Sequence, residues 1–121
     1  MNQLELLNLI FDSWNDSVVF VDTNHIIRYL NAPARVHYAK WGNVIGKSIF
    51  ECHNANSCQM IRDCFERLQN GELEILFADN PKHRVYMRAV RDKQGKLIGY
   101  YERYEPPVVK DGTGKPDPHI E

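Results

Sequence analysis

"SVVFVDTNHIIRYLNAPA", residues 17–34, is the stretch on which the fold turns. Val18, Val19, Phe20 and Val21 are β-branched or aromatic and read as a buried strand ending at Asp22. Thr23, Asn24 and His25 supply a turn, and residues 26–31 form a second strand, so the segment is a β-hairpin. Asn31 is a good N-cap and Pro33 suits the first turn of a helix. A short helix therefore starts directly after the hairpin and stops at Gly42.

Upstream, Leu4, Leu7, Phe11 and Trp14 fall at spacings of three, four and three, one stripe of a helix that Leu6 and Ile10 widen. Downstream, a short apolar turn follows Gly46. Asn56 or Ser57 is then expected to cap a longer helix running to about Gln69, closed by Asn70 and Gly71. Ile61, Cys64, Phe65 and Leu68 share a face of that helix. Residues 72–79 and 84–91 alternate as strands, "DKQGK" (92–96) is a hairpin loop, and residues 97–105 form a fifth strand stopped by Pro106 and Pro107. The order predicts an α+β fold, a five-stranded antiparallel sheet with helices on one face and an N-terminal flanking helix. The expected organisation is a flanking helix over 1–16, a domain over 17–105 and a mobile tail over 106–121, where Pro, Gly and charge concentrate.

At 121 residues the chain suits one domain with one core. Fifteen basic residues against sixteen acidic ones, with no basic run, argue against nucleic acid and anionic membrane as partners. The longest apolar runs fall far short of the ~20 residues that span a bilayer. "MNQLELLNLIFDSW" (1–14) has no basic region ahead of its leucines and is not read as a signal peptide. Three cysteines, an odd and small number, suit reduced thiols and a cytoplasmic setting.

These residues together resemble a PAS domain. "SVVFVDTNHIIRYLNAPA" is similar to the family's opening hairpin, with an Asp ending the first strand and an Asn following the second. "VIGKSIFECH" (44–53) resembles its G-[KR]-x-[IVL]-F segment, and "VRDKQGKLIGYYERYE" (90–105) its closing hairpin with D-x-x-G-x-x-x-G. The resemblance covers roughly residues 3–105 and is strongest to PAS modules found beside hemerythrin-like regions in bacteria and archaea. There the segment after the first cysteine reads "CHPPKS"; here Asn54 and Ala55 replace the prolines and Asn56 the lysine. The family implies sensing, a ligand or cofactor between helices and sheet, and dimerisation through flanking helices. Light-sensing flavin members carry their reactive cysteine in "NCRFLQ" soon after the glycine. Cys52 comes three residues too late after Gly46, so flavin photochemistry is rejected.

All three cysteines lie in "IFECHNANSCQMIRDCF" (49–65) with His53 beside the first. No second Cys/His pair stands out for a structural zinc site, and no metal is expected. On a helix Cys58 and Cys64 point about 240° apart. Cys64 joins the apolar face as a small buried residue, while Cys58, in the first turn, is the redox candidate if its thiolate is accessible. His53 is either the axial ligand of a haem in a redox or gas sensor, with Cys52 or Cys58 assisting, or a hydrogen-bond donor that holds the turn before the helix. Met60, Phe65, Met87 and Tyr101 look able to fill the pocket, which favours the structural role.

No catalytic motif is present, and a non-catalytic module is expected. Pocket candidates are Phe50, His53, Ile61, Phe65, Leu68, Val85, Met87 and Tyr101, with Arg88 and Arg103 able to hold a carboxylate if either turns inward. Leu4, Leu7, Phe11 and Trp14 are candidates for a homodimer interface, and Tyr100, Tyr101 and Tyr104 offer apolar area on both faces of the last strand. The expected function is a sensory module that binds a small molecule or a protein signalling partner and acts through dimerisation. A haem or metal sensor and a ligand-free dimerisation module are the alternatives.

Overall fold

The computed structural model describes residues 1–108. Helix α1 (Gln3–Asp12) precedes the hairpin β1 (Val19–Asp22) and β2 (Ile27–Leu30). Helix α2 (Ala32–His37), 3-10 turns at Ala39–Trp41 and Ile49–Cys52, and the longer helix α3 (Ala55–Gln69) follow. Strands β3 (Glu74–Asp79), β4 (Arg84–Arg91) and β5 (Leu97–Glu105) complete an antiparallel sheet ordered β2-β1-β5-β4-β3. The last strand thus lies at the centre of the sheet, against the first. The expected tail over 106–121 lies outside the described residues from residue 109 onward.

Short polar side chains set the element boundaries. The Asp22 carboxylate accepts from the amides of Asn24 and Ile26, at 2.9 and 3.0 Å, and from Arg28 Nε at 2.7 Å, closing the β1–β2 turn. His25 carries that turn with φ +64°, a left-handed conformation uncommon for a residue with a side chain. Asn54, not Asn56 or Ser57, caps α3, because the helix already begins at Ala55 and the Asn54 side chain accepts from Ser57 N at 2.8 Å. Ser48 and Glu51 form a capping box on the preceding 3-10 turn. At the end of α1, Ser13 hydroxyl donates back to Ile10 O at 2.6 Å, so the helix stops short of Trp14.

Asn31 does more than cap α2. It is wholly buried, and its side chain accepts from Val18 N (2.8 Å) and Ala34 N (3.2 Å) while donating to Phe11 O (2.8 Å) and Asp16 O (3.0 Å). One amide thereby ties the end of α1, the start of β1 and the start of α2 with its hydrogen-bonding capacity filled. Asp12 reinforces the junction by accepting from Ala32 N at 2.8 Å.

Strand alternation sorts residues between two faces. Val19, Val21, Ile75, Met87 and Tyr100 meet Ile61, Phe65 and Leu68 of α3 in the core, where Ile27, Val44, Leu68 and Met87 are fully buried. Each such side chain contributes roughly 1.5–3 kcal/mol through burial. Gly99 is obligatory at the β1–β5 contact: a Cβ there would strike Val21 O and come within 2.5 Å of the Phe20 ring.

Candidate functional site

The helix-covered face retains a cavity of about 10 Å³, lined by Val19, Val21, Tyr38, Ile49, Ile61, Tyr100 and Glu102. That holds at most one water molecule. It has no room for a porphyrin, so the residues present do not fit a haem. Tyr38, at the C-terminal end of α2, is 5% exposed and also walls a second cavity of about 200 Å³ with Leu30, Arg35, Gly42, Asn43 and Ile45.

Glu102 is the charged residue at the smaller cavity. It pairs in register with the fully buried Met87, which fixes its side chain on the helix-covered face. Its Oε2 accepts from the Tyr104 hydroxyl at 3.0 Å, and it has no ion-pair partner among the described residues. Burial, and after it the negative charge of Glu102, pushes the hydroxyls of Tyr38, Tyr100 and Tyr104 well above the usual tyrosine range.

At the far end of the same face His25 packs its ring against Phe50 and Phe65, with centroids 4.8 and 4.6 Å away. Its Nδ1 shares a hydrogen bond with the Tyr100 hydroxyl at 2.9 Å. Burial, then the Arg62 guanidinium, holds this imidazole below the usual histidine range. Arg62 itself stacks over Phe50 at 4.2 Å.

The open face is different. A groove of about 380 Å³ lies between the end of α1 and the sheet, lined by Phe11, Trp14, Val18, Phe20, Tyr29 and Tyr101. The Tyr29 hydroxyl is buried there without a hydrogen-bond partner. Above the groove α1 buries none of its residues, and Leu4, Leu6, Leu7, Leu9 and Ile10 are 43–68% exposed. Further along this face the surface turns ionic. Arg103 donates to Glu74 at 2.7 and 3.2 Å, pairs with Glu105 at 3.0 Å and stacks over Tyr86 at 4.4 Å. Arg88 lies 3.8 Å from Glu74. The hydrogen bonds from Arg103 hold Glu74 below the usual carboxylate range.

These positions sort the residues expected from the sequence. Ile61 lines the small cavity; Phe65, Leu68, Val85 and Met87 are buried on the helix-covered side of the sheet; Phe50 is half-buried beside His25. His53 is half-buried with Nδ1 3.2 Å from Ile49 O, and since a carbonyl only accepts, the ring donates and holds the turn before α3. Tyr101 lies on the open face, because in β5 it is Tyr100 that turns inward. Arg88 and Arg103 do not turn inward and are engaged by Glu74, so neither meets a carboxylate in the helix-side cavity.

Cys58 does not have the accessibility a sensing thiol needs. It is 7% exposed, and its Sγ donates toward Phe50 O and His53 O at 3.5 and 3.6 Å. Cys64, expected to be buried, is half-buried, and burial pushes its thiol and that of Cys52 upward. Leu4, Leu7 and Trp14 are exposed, and Phe11 is half-buried at the groove. Tyr38, His25 and Glu102 were not singled out from the sequence. The parity of β5, which puts Glu102 in step with Tyr100 and Tyr104, was the signal that could have found the last.

No curated protein matches the chain significantly by sequence. Among solved structures, a C-terminal domain from Streptococcus mutans superposes with a TM-score of 0.70 at 22% identity, covering 84% of this chain and 83% of that one. The PAS domain of a Colwellia psychrerythraea protein superposes with a TM-score of 0.63 at 14% identity, covering 86% of this chain and 98% of that one. At such identities the likeness speaks for the fold. The family model described as PAS domain matches residues 7–105. By that match, and by the five-stranded antiparallel sheet with its helices, the chain belongs to the PAS domain family of sensory and signalling modules.

Proposed function

We propose that this PAS domain is a non-catalytic signalling module that works as a homodimer, with α1 and the apolar part of the open sheet face as its contact surface. The observation that carries this reading is the adjacency of two apolar surfaces that no described residue covers, the exposed leucines of α1 and the ~380 Å³ groove at its foot. A second copy would bury both at once, and its arrangement is the state that a protein signalling partner reads. The junction at Asn31 couples α1 to the core, so a change inside the domain alters the angle at which α1 is presented. The three free thiols suit a cytoplasmic setting. No helix among the described residues is long and apolar enough to cross a membrane.

The test is the solution mass by sedimentation equilibrium. The wild-type chain is expected at twice its 14.1 kDa, and Leu7→Glu at the monomer mass with unchanged circular dichroism. A wild-type chain that stays monomeric at 100 μM overturns the reading.

A second reading, a small molecule bound on the helix-covered face, is favoured by Tyr38. That ring alone is common to the ~10 Å³ and ~200 Å³ cavities, so one side-chain rotation would join them.

A further inference from the structure

His25 sits in the β1–β2 turn, half-buried, and joins it to three distant parts of the chain. Its ring lies against Phe50 of the second 3-10 turn and Phe65 of α3, and its Nδ1 is 2.9 Å from the Tyr100 hydroxyl of β5. Its carbonyl accepts from Ile49 N at 2.8 Å. These contacts hold a backbone with φ +64°, a conformation that a residue with a side chain keeps only when its surroundings impose it.

The surroundings suit a neutral imidazole. From α3 the Arg62 guanidinium acts on it, and Arg62 has no ion-pair partner among the described residues. From the turn itself comes Asp22, but its carboxylate already accepts from Arg28 and from the amides of Asn24 and Ile26. The 3-10 turn presents the Phe50 ring, its Glu51 being tied to Ser48 N at 3.1 Å. Strand β5 presents the Tyr100 hydroxyl.

We propose that His25 is a proton-operated latch: the neutral ring holds the β1–β2 turn against α3 and β5, and a proton taken from solvent releases it. The imidazolium has no carboxylate hydrogen-bonded to it among the described residues, and it stands near Arg62, a second positive charge. The Phe50 face, which could attract the new charge, already carries Arg62 at 4.2 Å. Where Tyr100 donates to Nδ1, a proton on that nitrogen reverses the bond and turns the hydroxyl away. Where Nδ1 donates, the proton goes to Nε2, and the ring carries the same charge beside the same guanidinium. Burial and Arg62, which hold this imidazole below the usual histidine range, agree with the geometry. The latch gives the module an input that needs no ligand, and it rests on neither the dimer nor the second reading. Its effect reaches Tyr100, a wall of the ~10 Å³ cavity.

The test is a pH titration of the full chain between pH 7.5 and 5, above the range in which the carboxylates titrate, followed by histidine-ring and amide NMR. The His25 ring is expected to titrate below about 6.5, the ordinary histidine value, with the Phe65 and Tyr100 signals moving at the same midpoint. Arg62→Gln should raise that midpoint. A histidine whose folded value is lowered stabilises the fold above its unfolded value and loses that contribution as pH falls through the folded one. The urea unfolding constant of the wild type should therefore rise between pH 7.5 and 5.5, by at most about tenfold for one proton bound only in the unfolded chain. His25→Asn, which tolerates the left-handed backbone and cannot titrate, should lack that rise. Equal pH dependence in the wild type and His25→Asn overturns the latch. So does a His25 ring that titrates at the ordinary value, or one whose titration leaves Phe65 and Tyr100 unmoved. Should His25→Asn fail to fold, the wild-type and Arg62→Gln titrations decide alone.

Discussion

Tyr100 and Tyr101 are consecutive residues of one central strand, yet they belong to different environments. Tyr100 is 2% exposed, pinned by His25 and packed beside Phe65. Tyr101 faces a groove of about 380 Å³ that no described residue fills. The helix-covered face is closely packed, and the Glu102 side chain on it accepts from the Tyr104 hydroxyl. The open face divides into an apolar half under α1 and an ionic half built on Glu74, Glu105 and the arginines of β4 and β5. The contrast teaches that burial by the chain's own helices accounts for one face only. The apolar half of the other has the composition of an interface core, and the ionic half that of its rim.

Substitutions of similar size on the two faces should therefore behave unlike each other. The largest effect is expected at the helix-covered face, where Ile61→Ala leaves a hole in a packed core and should cost about 2–5 kcal/mol in urea unfolding. Next is Gly99→Ala, whose added Cβ meets the backbone of Val21. It should cost about 1–3 kcal/mol and, by pressing on the Phe20 ring, also disturb the groove on the open face. Leu7→Glu should change monomer stability by no more than about 0.5 kcal/mol while weakening self-association at least about tenfold. Should Leu7→Glu unfold the chain instead, α1 is part of the core and the contrast between the faces is lost.

The smallest effect concerns pH. Glu74 and Glu105 are held below the usual carboxylate range by hydrogen bonds from Arg103. Asp22, despite burial pushing it up, is held there by Arg28 and the turn amides. A carboxylate whose folded value is depressed stabilises the fold above its unfolded value and loses that contribution as pH falls through the folded one. Melting temperature should thus be flat near neutrality and drop below about pH 4, with about 1 kcal/mol at stake because the pairs are partly exposed. Arg103→Gln should flatten that drop, and an unchanged slope would show that the ionic half of the open face contributes nothing.

Much of the fold was legible in the chain. The hairpin could be read from Val18 to Val21 and the polar turn after them, and the helix start from Asn31 and Pro33. Local rules carry such elements. The start of α3 was misplaced because Asn54, Asn56 and Ser57 are all capable caps, and the choice is made by the capping box just upstream, which fixes where the chain enters the helix. The site was less legible for a reason of register. In β5 a shift of one residue exchanges the faces. Tyr101 and Arg103 then look like pocket residues, and Tyr100 and Glu102 do not. The pairing Tyr100–Val21 that settles the matter joins residues 79 positions apart, which no local pattern encodes. His25 was hidden in the same way, since its partners Phe50, Phe65 and Tyr100 come from three distant segments.

In the proposed dimer a second copy covers the groove beside α1. Trp14, 46% exposed at that groove, reports on it directly once the other tryptophan is replaced by Trp41→Phe. Emission from Trp14 is to be followed as the protein is diluted, alongside its mass. A covered groove gives a blue-shifted band at high concentration that moves to the red on dilution, with the midpoint of dimer dissociation. An emission band that ignores concentration while the mass falls from dimer to monomer would place the interface elsewhere and contradict it.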